Sequence, residues 1–80
     1  MVYDEDKVDE MALALLYLTT FKEKGYGFRA WKGMDWETMN RLHENGYISN
    51  PKTKAKSVMV SEKGAELSAE LFKQYFARSS

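Results

Sequence analysis

The chain contains no cysteine, which excludes disulfide staples and thiolate-held metals and leaves the interior to aliphatic and aromatic packing. That composition suits a reducing compartment, so the expected location is the cytoplasm. No apolar run is long enough to span a bilayer, and Met1-Val2-Tyr3 followed at once by acids is the reverse of a secretion signal. A soluble protein with no membrane partner is expected. Net charge is missing too: 12 basic and 12 acidic residues cancel, so the overall field neither draws the molecule to nucleic acid nor repels it. The five glycines are dispersed and build neither a phosphate loop nor a dinucleotide fingerprint.

His43 is the only histidine. No second histidine stands at helical offset from it, and an imidazole beside Glu44 has no nucleophile to activate and no third ligand to complete a metal site. A hydrogen-bonded structural histidine is the expectation. Ser57, Ser61 and the Thr19-Thr20 pair lack any Gly-x-Ser-x-Gly elbow and read as cap and strand residues. The expected protein is therefore non-enzymatic, with no catalytic residue, metal or cofactor.

What is present organises into one domain over residues 1–80. Asp4, Glu5, Asp6, Asp9 and Glu10 crowd the start of a first helix expected from Asp6 to Lys24, where negative charge meets the positive end of the helix dipole. Val8, Met11, Ala12, Leu15, Leu16 and Thr19 form one apolar stripe, and Leu13, Tyr17 and Phe21 a second line beside it. A face that wide needs two neighbours, one of them a second element or a partner subunit. Gly25 and Gly27 end the helix, and at most one helical turn fits before Gly33. Asp35 caps a short helix with Trp36, Met39 and Leu42 inward, and Asn45-Gly46 closes it. Tyr47–Ser49, a turn at Asn50-Pro51, and Lys54–Val60 read as a two-stranded hairpin. Ser61 caps a long final helix with two apolar lines. The Ser79-Ser80 end reads as a loose tail.

Long helix, short helix, β-hairpin and long closing helix define an α+β, mostly helical class. The run Arg41-Leu42-His43-Glu44-Asn45-Gly46-Tyr47-Ile48-Ser49, a basic turn, and then Ser57-Val58-Met59-Val60-Ser61-Glu62-Lys63-Gly64 resembles the recognition helix, wing and closing-helix start of small bacterial winged-helix regulators. Ala14–Thr19, Arg29–Gly33 with Asp35-Trp36, and Lys54–Val58 are similar to recurring words of a bacterial family known only as a domain of unknown function. The resemblance implies a winged-helix-like fold and supplies no activity.

Two function classes follow. One is an interaction module, a homodimer through the spare faces of its terminal helices that engages a further protein. The other is a DNA-binding regulator using a lysine-rich wing, with Lys52, Lys54 and Lys56 on phosphate and Arg29, Lys32 and Arg41 nearby. Against the second stand Glu37 and Glu44 on the outer face of the presumed recognition helix. Tyr26, Phe28, Trp31 and Trp36, interleaved with Arg29 and Lys32, present a choice between a stacking surface and interior packing. So small a domain is expected to bury both indoles.

Overall fold

The computed structural model describes residues 1–78 apart from Lys24 and Tyr26. Helix α1 (Glu5–Leu16) starts at Asp4, whose carboxylate accepts the Lys7 backbone N–H at 3.1 Å, with Glu5 and Asp6 in the first turn. It stops well before the expected Lys24. The Thr20 hydroxyl donates to the Leu16 carbonyl at 2.7 Å and the Thr19 hydroxyl approaches the same oxygen at 3.3 Å. The acceptor that the next helical turn needs is thereby taken, and the chain leaves through a 3₁₀ turn at Tyr17–Thr19.

Strand β1 (Phe21–Glu23) then pairs antiparallel with β2 (Gly27–Trp31), with Phe21 opposite Arg29 and Lys22 opposite Phe28. Gly25 and Gly27 serve the reversal of this hairpin, at φ of 81° and 84°, rather than a helix end. The single helical turn expected within residues 28–33 is thus a strand. Tyr26, one of the interleaved aromatics, and Lys24, the expected helix end, lie outside the described residues, as do Ser79 and Ser80.

Helix α2 (Trp36–Glu44) begins where Asp35 accepts the Thr38 backbone N–H at 3.2 Å and hydroxyl at 3.0 Å. It ends in a Schellman pair, Gly46 N–H to the His43 carbonyl and Tyr47 N–H to the Leu42 carbonyl, both at 3.0 Å, with Gly46 left-handed at φ 81°. The wing expected next is reduced. Ile48 makes one bridge to Val60, and the Met59 N–H bonds the Ser49 hydroxyl in place of a backbone oxygen. Pro51, buried and without an N–H, cannot extend the ladder, and the Asn50 side chain turns the chain by accepting the Lys52 N–H. Strand β3 (Ser57–Val60) pairs instead with β2, placing Val58 opposite Ala30 and Val60 opposite Phe28. The result is one antiparallel sheet in the order β1-β2-β3.

Helix α3 (Glu62–Phe76) is capped by Ser61, whose oxygen accepts the Gly64 N–H at 2.9 Å while its hydroxyl donates to the Gly46 carbonyl at 2.7 Å. The buried interior joins Leu13 and Leu16 of α1, Met39 and Leu42 of α2, Ile48, Ala30, Val58 and Val60 of the sheet, and Leu71 of α3. Ser68 ties α3 to α1 by donating to the Leu13 carbonyl at 2.7 Å. The α+β class stands as expected; its sheet has three strands where two were expected.

Candidate interaction surfaces

Six basic residues, Lys52, Lys54, Lys56, Arg29, Lys32 and Arg41, were the candidates for nucleic-acid contact, and the folded chain gives them different settings. Arg41 points not outward but onto α1. Its Nε lies 2.9 Å from both Asp9 carboxylate oxygens, Nη2 lies 2.9 Å from Oδ1, and Nη1 reaches Glu5 at 3.1 Å. The hydrogen bond to Asp9 raises the guanidinium pKa above its ordinary value, with further help from the charges of Asp9 and Glu5 and against some desolvation. Arg41 is therefore a fastener between α1 and α2, a role that periodicity alone did not reveal.

Lys32 is also committed. Its ammonium donates to the carbonyls of Pro51 and Thr53, each at 2.7 Å, and to the Thr53 hydroxyl at 3.3 Å. Arg29 lies flat along β3, with Nε donating to the Ser57 hydroxyl at 2.8 Å and Nη2 to the Ser57 carbonyl at 3.1 Å. Lys52, Lys54 and Lys56 stay exposed on the loop that Lys32 braces. Three of the six thus project into solvent, while the other three hold the frame behind them.

The aromatics reverse the expectation of burial. Trp31 is 52% exposed and Trp36 is 50% exposed. Trp31 fails to enter the core because it alternates with buried Ala30 and so stands on the opposite face of β2. There it meets Phe21, ring centroids 5.6 Å apart. Trp36 occupies the first position of α2, two residues before the inward stripe takes hold at Thr38 and Met39. At the far end of the helix layer Tyr17 stacks on Phe72 at 4.9 Å, and Phe72 meets Phe76 at 5.4 Å.

His43 does what its lone position suggested: Nδ1 donates to the Ile48 carbonyl at 3.0 Å, tying α2 to the bridge residue. Among the described residues no group of histidine, aspartate and glutamate side chains is arranged to hold a metal ion, and no helix is long and apolar enough to cross a membrane.

Two concavities flank α1. One, of about 360 Å³, is edged by Asp6, Asp9 and Glu10 over an apolar floor that includes Leu13, Leu42 and Leu71. Its carboxylates are partly spent, Asp9 on Arg41 and Glu10 on the Tyr75 hydroxyl at 3.1 Å. The other, of about 310 Å³, is an apolar groove between α1 and the start of α2, walled by Val8, Met11, Leu15 and Met34. Of the stripe expected over Val8, Met11, Ala12, Leu15, Leu16 and Thr19, the core takes Ala12 and Leu16, together with Leu13 of the second line and Ala14. The stripe comprising Val8, Met11 and Leu15 is left half open, and Leu18 beyond it is 66% exposed.

Residues 4–78 match a family described as "Domain of unknown function (DUF6429)". The chain belongs to this family. It is 47% identical over 78 residues to the uncharacterized protein y4hR of Sinorhizobium fredii (strain NBRC 101917 / NGR234), a match covering 98% of this chain and all of that protein. No solved structure matches. The family resemblance seen in the sequence thus holds, and its recurring words fall on the end of α1, on β2, on the α2 cap and on the entry to β3.

Proposed function

We propose that this member of the family is a non-enzymatic, winged-helix-like interaction module that pairs with a second copy of itself through the open side of α1. Its winged-helix character lies in the succession of α2, the Ile48 bridge, β3 and α3, with the β1–β2 hairpin standing where a supporting helix would be. The observation that carries the pairing is the run Val8, Met11 and Leu15, which follows one stripe of α1, borders the Met34 groove and leads to exposed Leu18 in the 3₁₀ turn. A stripe on a straight helix is self-complementary about a two-fold axis, so two copies seal the same residues at once. A chain this short also gains most from covering apolar surface that its own core does not reach.

Sedimentation over a wide concentration range tests this. Wild type is expected to shift from monomer to dimer, and Leu15→Glu to remain monomeric while keeping its circular dichroism. A wild type that stays monomeric at the highest concentration refutes the pairing.

A second reading, contact with DNA through the lysine loop, is favoured by one observation: Lys52, Lys54 and Lys56 are all exposed on a loop whose shape Lys32 fixes. The docking of Arg41 on α1 and the exposed Glu37 and Glu44 count against α2 entering a groove.

A further inference from the structure

The β1-β2-β3 sheet buries one face, with Ala30, Val58 and Val60 in the core, and turns the other to solvent. On the open face the register sets Phe21 opposite Arg29, Met59 on the other side of Arg29, and Trp31 opposite Ser57. We propose that this face, together with Lys52, Lys54 and Lys56, is a binding platform for single-stranded nucleic acid.

Two observations converge on that partner. First, Phe21 and Trp31 are neighbours at 5.6 Å and each leaves ring surface uncovered, which offers a sequence-tolerant seat for unpaired bases. Second, a loop with three exposed lysines adjoins the strand end that carries Trp31. The Lys32 backbone N–H bonds the Lys56 carbonyl, so the lysine loop joins the sheet one residue beyond Trp31. The Lys32 ammonium, holding Pro51 and Thr53, keeps Lys52 within a side chain's reach of the same strand end. Among the described residues no carboxylate is paired with Lys52, Lys54 or Lys56.

Single strands suit this surface better than duplex. Stacking needs a base with a free face, which duplex hides, whereas phosphates in either form reach the lysines. The inference shares the lysine loop with the DNA reading above but not its duplex target.

The test uses the full chain carrying Trp36→Phe, so that Trp31 is the only indole, with an oligo-dT of about a dozen nucleotides and a duplex of equal length. Expected at low salt are quenching of Trp31 emission by oligo-dT, and tighter binding of oligo-dT than of duplex by fluorescence anisotropy. Trp31→Ala should weaken oligo-dT binding roughly 5- to 150-fold, the equivalent of ~1–3 kcal/mol for one base–aromatic stack. Trp31→Phe, which keeps a ring, should lose less, and serves should the alanine variant fold poorly. Replacing Lys52, Lys54 and Lys56 by alanine should weaken binding and flatten the log–log salt dependence by about 2. No oligo-dT binding at low salt overturns the proposal. Binding of both forms that is indifferent to Trp31 overturns it too, while leaving the loop as a duplex-backbone contact. Loss of concentration-dependent sedimentation in Trp31→Ala, without oligo-dT binding by the parent, would show a second copy on this face instead.

Discussion

Arg41 shows how one side chain decides what a helix face is for. Its fork engages Asp9 with two donors and Glu5 with a third, and Nη2 also lies 3.3 Å from the Thr38 hydroxyl. Arg41→Ala is expected to lower the thermal midpoint and Arg41→Lys to restore only part of the loss, because an ammonium cannot reproduce the planar fork; equal midpoints for the two variants would contradict this. The pH dependence has a definite sign. A pKa raised on folding contributes stability in full below the ordinary arginine range and loses it only above that range, so this contact should stay constant across neutral pH. Gly64 is a second case in which context overrides preference. Alanine is better than glycine in a helix interior by about 1 kcal/mol, yet a Cβ here would run into the Tyr47 backbone carbonyl. Gly64→Ala should lower the melting temperature, and a rise would show that the α3 start can move off Tyr47.

Between α2 and β3, the loop at residues 50–56 owes its shape to Lys32 more than to its own bonds. Lys32→Ala should leave the circular dichroism intact but speed tryptic cleavage at Lys52, Lys54 and Lys56; unchanged cleavage would mean that Pro51 alone holds the loop. The helices at either side were legible because their signals are local: Asp35 and Ser61 accept the N–H groups that cap residues accept, and Asn45-Gly46 closes α2 as such pairs do. The β1–β2 hairpin was not. Phe21 continues an apolar line that suits a helix, and only the two threonine hydroxyls competing for the Leu16 carbonyl divert the chain. The lysine loop was legible as exposed, whereas the withdrawal of Arg41 and Lys32 depends on partners 32 and 19 residues away. No period in the sequence encodes such pairings. Which face of β2 Trp31 takes depends likewise on its register with Ser57.

The molecule as a whole measures 37 × 33 × 18 Å, so its shortest dimension holds a single layer of core side chains between helices and sheet. Leu42, 1% exposed, sits in that layer. Its truncation to alanine should remove ~2–5 kcal/mol, a large share of the ~4–12 kcal/mol expected for a chain of this size. Denaturant titration of Leu42→Ala is expected to show a midpoint far below wild type; a shift of a few tenths molar or less would mean that the layer collapses onto the gap. The place where α2 ends and α3 begins has a different standing. There the Tyr47 N–H bonds Leu42, the Ser61 N–H bonds the Tyr47 carbonyl, and Gly64 lies against that carbonyl. In heavy water the amides of Tyr47, Ser61 and Gly64 should be the last to take up deuterium, outlasting those of β1 on the sheet's rim. The slow clock of the molecule would then run at a knot between two helices, leaving the aromatic sheet free to breathe without loosening what keeps the chain folded.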